Sequence, residues 1–581
     1  MAALLNALDN FTPSQVGNNG HSEFTWSLST RERIIQLSFQ LCRCKDDRQI
    51  QNLSNIADQI LTQLDADYKS NKIAKDEYIG YMSIMYRLVG QTRDMIDGKG
   101  EYTLAYMLLA VWYKHHPSLA LFAFQCFVSL NSEHHLGSEH HLGSEHPYGS
   151  WKDVKHMIKY MNQKKTGQEL IAYAICLLND QIRKDVGAEV PSLAAKWAPR
   201  EKSAHPELFA KLASNYFPEY VNSAKSEENV KKAISKAKMD YRKVISSLNK
   251  KLDTVQIKQC GQSWAEIDPT KQTSITMHKQ KSAFLNKTKK GEQRTVLEDR
   301  IACGQKFEIF AAKAAKGEVE VKGKRIGLND FTKEAIELIN RHQQQGSEAH
   351  ILNAQWVNNS LQTGKLGKMI AMVDVSGSMT GDPIHAAVAL GLRIAEKSLL
   401  GKRVLTFSAI PTWVNLDGCH NFVSMVEKVR VAEWGMNTNF AAALNLILNA
   451  IIQHKLPPDD VSDMVLTILS DMQIDIADNK YGSMMDMIER KYADAGMRLF
   501  GKPFKPPHIL FWNLQSTNGF PALSLHKNAS MMSGFSAALL NVFCEEGLEA
   551  LQSCTPWSLF LKGLQLERYA VLEQRLLEEL A

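Results

Sequence analysis

KMIAMVDVSGSMT, residues 368–380, decides how the C-terminal half of this chain folds. An apolar run, Met369 to Val373, leads straight into Asp374-Val-Ser376-Gly-Ser378, a carboxylate and two hydroxyls within five residues. A short apolar run bounded by a Gly/Ser turn reads as a buried strand. Ligands of open α/β sheets sit beyond the carboxyl ends of the strands, so these oxygens stand where a hard cation such as Mg²⁺ would bind.

Outward from that stretch, strands and helices alternate. Strands are expected at 368–374, 403–408, 464–470 and 508–514, with helices at 384–399, 421–430, 439–453 and 481–496. This alternation predicts a parallel α/β sheet. A short apolar segment near Met531, a helix from Ser536 to Glu546 and a terminal helix over 565–580 complete the half.

Upstream the periodicity is helical from about residue 29 to 345. It opens with a Ser29-x-x-Glu32 capping box ahead of RIIQLSFQLC. Further helices are expected at 50–64, 78–96, 102–115, 117–130, 152–163, 168–185, 207–216, 228–252, 295–316 and 330–345. Many helices with short links predict stacked antiparallel pairs, as in a solenoid. Within this region SEHHLGSEHHLGSEH (132–146) repeats a six-residue unit and holds five of the 18 histidines. Metal capture by these imidazoles competes with an exposed insertion loop, which the glycine in each unit favours.

A length of 581 residues calls for two or three domain-sized units. Hydrophobic content of 44% and charged content of 22% are globular and exclude a fibrous or disordered class. The nine cysteines are scattered without a C-x-x-C pair, against a disulfide framework or zinc ribbon, and Cys42-x-Cys44 reads as packing. No secretory signal and no run of about 18 apolar residues is present, so a soluble, cytoplasmic protein is expected, with no membrane partner. Residues 196–334 hold 29 Lys/Arg against 17 Asp/Glu, while the whole chain nets only +6. Such segregated charge suits a polyanion or a plain solvated helical surface.

Thr438, in GMNTNF before a helix, and Asp471, in MVLTILSDMQ after a strand, complete a set that resembles the metal-ion-dependent adhesion site of von Willebrand factor A domains. By that resemblance Ser376, Ser378 and Thr438 would offer hydroxyls to Mg²⁺, or to Mn²⁺ or Ca²⁺ in its place. Asp374 and Asp471 would act directly or through water. Mg²⁺ keeps near-octahedral oxygen coordination, so with two carboxylates it would stay electron-poor and accept an acidic partner's carboxylate. The plainer alternative is that these residues cap the next helix; Asp382 and Asp475 read as solvated loop positions. Enzyme motifs fare worse. Ser376 replaces the second acid of a phosphatase D-x-D, G-x-S-x-G fails at Val375 and Met379, and no P-loop or H-E-x-x-H occurs.

Other stretches resemble the family known as domain of unknown function 2828, found in plants, fungi, bacteria and large DNA viruses, over most of the chain. They are Gly98-Lys-Gly-Glu101, Tyr148-Gly-Ser-Trp-Lys-Asp153, Ser192-Leu-Ala-Ala-Lys-Trp197-Ala-Pro, Tyr241-Arg-Lys with Leu248-Asn-Lys-Lys-Leu252, Trp264-x-Glu-Ile267, Phe511-Trp-Asn-Leu514 and Ser533-Gly-Phe-Ser536. A viral source would make a virion location conceivable. LGKMIAMVDVSGSM, RVLTFS and Ser516-Thr-Asn-Gly-Phe520 are distantly similar to the Ro ribonucleoprotein autoantigen, in which a helical ring that binds RNA precedes a von Willebrand A domain.

The expected organisation is a tail (1–28), a helical repeat-like region (29–345), a linker (346–366), a von Willebrand A-like domain (367–564) and a C-terminal helix (565–581). The expected role is a non-enzymatic scaffold whose metal site docks an acidic protein and whose helical body binds structured or single-stranded RNA. Lys231, Lys232, Lys236, Lys238, Arg242 and Lys243 are the candidate phosphate contacts, and Trp151, Trp197 and Trp264 either stack on bases or pack in the core. A protein-only assembly scaffold or chaperone is the alternative, and a metal-dependent phosphoester hydrolase the remote one.

Overall fold

The computed structural model describes residues 12–129, 146–432, 434–435, 437–475, 483–544, 551 and 553–580. The histidine repeat, apart from His146, and the end of the helix expected at 536–546 lie outside the described residues.

Six strands form one mixed sheet: β3 (Met369–Asp374), β4 (Arg403–Phe407), β5 (Thr412–Asn415), β6 (Val465–Ser470), β7 (His508–Asn513) and β8 (Ala529–Ser533), in the order β5-β4-β3-β6-β7-β8. All pairings are parallel except β4 with β5. The wholly parallel sheet expected from sequence is therefore corrected at one edge, where four residues after Pro411 turn back. Alternate residues serve two cores. Met372, Leu405, Ile468 and Phe511 join one, with the helices Phe440–His454 and Met484–Phe500 and much of the N-terminal region. Ala371, Val373, Leu469 and Trp512 join the other, with helices Leu328–Asn340, Ser347–Ser360, Asp382–Lys397 and Phe422–Arg430. Burial on both faces explains the nearly continuous apolar runs of β3, β6 and β7. Gly391 lets helix Asp382–Lys397 lie close on β3, since a Cβ there would come within 2.5 Å of Val373 Cγ2.

The N-terminal region is helical from Thr30 to Ser360 among the described residues, sequential helices packing on one another through an apolar core. Four expectations are revised. Ser29 makes no side-chain cap; Glu32 instead accepts the Ser524 N–H at 3.0 Å, so it ties the first helix to the far half. The expected tail carries structure of its own: β1 (Ser14–Val16) and β2 (Ser22–Phe24) form a hairpin, and Phe24 exchanges backbone bonds with Phe520 at 3.0 and 3.1 Å. The linker carries helix Ser347–Ser360, whose inward face includes amides: Gln355 donates to Ser274 and Lys322 carbonyls, and Asn359 to that of Gly323. Where a helix from Ser536 was expected, a 3-10 turn runs Ala537–Phe543.

The C-terminal helix, Ala570–Leu580, packs on helix Lys75–Arg93. Just ahead of it Arg568 holds Asp94 in a two-point ion pair at 2.9 Å. Another tie is Lys99, buried, whose Nζ donates to the carbonyls of Ser38 (2.6 Å) and Leu41 (3.1 Å) and to Ser533 Oγ (2.7 Å). Burial lowers its pKa to about 7. Between pH 7 and the ordinary lysine value the unfolded chain binds more protons than the folded one, so this group makes stability rise with pH across that window. The cost is fully present below pH 7. In Lys99→Met the thermal midpoint should climb less steeply between pH 7 and 9.5 than in wild type; equal slopes would contradict this.

Candidate functional site

β3 delivers Asp374 to the carboxyl end of the sheet, and Val375 continues the register by donating to the Phe407 carbonyl at 3.0 Å. The chain then turns through Gly377–Met379, which holds Ser376 and Ser378 beside the strand end with their hydroxyl oxygens 3.1 Å apart. Asp374 Oδ1 accepts the Ser376 N–H at 3.0 Å, and Oδ2 accepts the Ser470 hydroxyl at 2.6 Å. Asp471 follows directly after β6, the neighbour of β3, so both carboxylates emerge at the same sheet end.

Both carboxylates are fully buried, and neither ion-pairs with a basic side chain among the described residues. Burial, and then the Asp471 charge, push Asp374 up to about 7. Burial also raises Asp471, opposed by the Gln473 N–H, which donates to Oδ1 at 3.0 Å, and by the nearby Ser378 hydroxyl. Asp471 Oδ2 is nonetheless buried without a hydrogen bond of acceptable geometry. A buried, unsatisfied carboxylate oxygen is expensive unless a cation or donor meets it.

Thr438 is buried too, and its backbone ties it to the same end: its N–H donates to Asp475 Oδ2 at 2.7 Å, its carbonyl accepts the Asp475 N–H at 3.2 Å, and the next residue, Asn439, donates to the Ser408 carbonyl at 3.0 Å. It thus bridges the loops after β4 and β6. All five residues expected from sequence gather at one end of three adjacent strands. Sequence reasoning missed Ser470, which hydrogen-bonds Asp374, and it left Asp475 as a solvated loop residue, whereas Asp475 fixes Thr438. The serine directly before Asp471 was the available signal for the first. Asp382 pairs with Lys45 at 3.1 Å.

The donor set fits a hard divalent cation: two carboxylates, one with a free oxygen, beside hydroxyls and no soft ligand. Among the described residues no three His, Cys, Asp or Glu side chains form a metal-binding group, so a cation at this end would need the hydroxyls. Asp374, Asp471, Ser376, Ser378 and Thr438 would hold it.

The basic candidates of the helical region sit on helix Glu227–Lys251. Lys231 pairs with Glu227 (3.1 Å), Lys232 with Glu228 (2.8 Å), Arg242 with Glu201 (3.2 Å) and Lys243 with Asp240 (2.9 Å). Lys236 lies 4.1 Å from the Tyr220 ring centroid, and Lys238 is half-buried. Of the tryptophans, Trp151 is buried, while Trp197 and Trp264 are partly exposed, the latter under the Arg300 guanidinium at 3.6 Å.

Nine cysteines are free thiols, and among the described residues no helix is long and apolar enough to cross a membrane. A protein of Acanthamoeba polyphaga mimivirus, described as uncharacterized, is 26% identical over 483 residues, which span 79% of this chain and 75% of the relative. The resemblance to domain of unknown function 2828 (DUF2828) is found over residues 173–366 and not over most of the chain. Residues 368–556 match a different model, domain of unknown function (DUF7788). The chain is thus similar to two families of unknown function, which meet where the helices give way to β3.

Proposed function

We propose that the C-terminal half is a von Willebrand factor A-like module in which Asp374, Ser376, Ser378, Thr438 and Asp471 hold Mg²⁺, with Mn²⁺ or Ca²⁺ as substitutes, and dock an acidic protein partner. The N-terminal half is a repeat-like helical body that carries RNA. The whole is a non-enzymatic, cytoplasmic scaffold, and its free thiols suit a reducing compartment. The observation that carries the docking reading is the buried Asp374–Asp471 pair with an unsatisfied Asp471 oxygen and, among the described residues, no ion pair to a basic side chain. Two carboxylates this close in a dry site repel each other unless a positive charge sits between them. When bound, the ion supplies an open coordination position to a hard anionic ligand.

The chain's own residues do the rest. Ser470 and the Ser376 N–H orient the Asp374 carboxylate, Gln473 orients that of Asp471, and Asp475 clamps the loop that presents Thr438. Loops fixed at both ends lose little freedom on docking, which favours binding. A protein-only scaffold is the second reading, favoured by the ion pairs that engage four of the eight basic side chains of helix Glu227–Lys251.

Affinity capture on the immobilised chain, eluted first with EDTA and then with ribonuclease, tests the reading. The expected result is a protein fraction released by EDTA and not retained by Thr438→Ala, and a separate fraction released by ribonuclease. Elution indifferent to EDTA would contradict metal-dependent docking, and a ribonuclease step that releases nothing would leave the protein-only scaffold.

A further inference from the structure

A second feature of the helical region has no part in the sheet-end site. On helix Lys152–Lys164, residues three, four and seven apart share one face, so Lys152, Lys155, His156 and Lys159 form a stripe. Against it stands the short helix Ala194–Trp197. The Trp197 ring centroid lies 5.0 Å from Lys155 Nζ and 5.9 Å from both Lys152 Nζ and Lys196 Nζ. These are distances at which an ammonium group is attracted to the face of an indole.

Like charges at this spacing repel, and the usual remedy is a carboxylate between them. None is supplied. Lys152, Lys155, Lys159 and Lys196 make no ion pair among the described residues, in contrast to Lys231, Lys232, Arg242 and Lys243 of helix Glu227–Lys251. The adjacent acid, Asp153, is turned fully inward to Arg93. Lys155 is lowered by burial and by Lys152, and His156 is held down to about 4 by burial and by both lysines, so the imidazole stays neutral. His205 is lowered by burial and then by Lys155 and Lys159, which places it at the margin of the same cluster. Trp197 remains partly exposed within this positive field.

We propose that Lys152, Lys155, Lys159 and Lys196, gathered about Trp197, are the contact of the helical body with single-stranded RNA: the ammonium groups take backbone phosphates and the indole stacks on a base. The inference rests on the RNA reading above but relocates it from helix Glu227–Lys251. Unpaired ammonium groups follow a phosphate backbone without reading sequence, and an exposed aromatic face accepts any base. An acidic peptide would use the charges but leave the indole without its stacking partner.

Fluorescence anisotropy of a labelled 20-nucleotide oligouridylate with the full chain at 50 to 200 mM salt tests it. Substituting the four lysines by glutamine should weaken binding about 100-fold and reduce the salt slope by roughly 3, from about 0.7 per phosphate contact. Trp197→Leu should weaken it about 10-fold with the slope unchanged. The matched control, Lys231, Lys232, Arg242 and Lys243 all to glutamine, should change affinity less than about 3-fold, because those charges are already paired. Unchanged thermal midpoints would confirm that the variants fold. RNA bound equally well by wild type and the four-lysine variant would overturn the site while leaving the RNA reading intact. No RNA bound by wild type at 50 mM salt would overturn both. An oligoglutamate of equal charge that displaces the RNA at equal concentration would overturn the choice of nucleic acid.

Discussion

Replacing Asp153 by alanine is expected to lower the stability of the helical region by about 3–5 kcal/mol, the usual cost of stranding one partner of a buried ion pair. Arg93 and Asp153 are both fully buried, and their side chains meet at two points, Nε to Oδ1 at 2.6 Å and Nη2 to Oδ2 at 2.7 Å. Tyr106 donates its hydroxyl to the same carboxylate at 2.7 Å, and the Ser150 N–H does so at 2.9 Å. Alanine would remove all four acceptor contacts and leave a guanidinium in the interior, where the Tyr102 ring, 4.1 Å away, is a poor substitute for a carboxylate. The pair also dictates the backbone: a Cβ at Gly149 would lie 2.6 Å from Arg93 Nη2. The double variant Arg93→Met with Asp153→Leu should recover much of the loss, since an apolar pair leaves no buried charge unpaired. Urea unfolding followed by circular dichroism measures both; a loss below about 1 kcal/mol for Asp153→Ala would contradict this.

The second large effect is expected at the sheet end, with opposite signs in the absence and presence of Mg²⁺. Asp374→Asn should raise the stability of the metal-free chain by roughly 1–3 kcal/mol at pH 8, because it removes one of two buried carboxylates that repel. The linkage has a definite sign. A carboxyl raised to about 7 binds more protons folded than unfolded between its ordinary value and 7, so its contribution falls as pH rises through that window. Added Mg²⁺ should reverse the order. Saturating Mg²⁺ stabilises only a chain that binds it, by about 2.7 kcal/mol at a hundredfold excess over the dissociation constant, and Asp374→Asn should show none of this. Melting curves with EDTA and with 10 mM Mg²⁺ give both halves of the result.

How much of this was legible in the sequence depends on how far each interaction reaches. β3, β6 and β7 announced themselves because burial on both faces leaves their runs almost wholly apolar, with Thr467 in β6 the one polar residue inside them. Four residues of β5 on an edge carry no such pattern. Helix Ser347–Ser360 hid because the face it buries includes Gln355, Asn358 and Asn359, amides that satisfy backbone groups of residues 274 and 322–323. The hairpin at Ser14–Phe24 depends on Phe520, some five hundred residues away. At the candidate site the strand-end position picked out Asp374 and Asp471, but LSDMQID does not say which polar residue turns inward. Only the register of β3 against β6 brings Ser470 to Asp374. The lysines about Trp197 escaped notice for a related reason. Charge counted along residues 196–334 treats paired and unpaired lysines alike, and three of the four lysines gathered about Trp197, namely Lys152, Lys155 and Lys159, lie outside that window.

Isothermal calorimetry of Mg²⁺ into the full chain, beside Asp374→Asn with Asp471→Asn, tests the central claim most directly. The account predicts one site per wild-type chain and a loss of affinity of at least about 100-fold in the double variant, whose far-ultraviolet spectrum stays that of the wild type. Equal heats from the two proteins would contradict it.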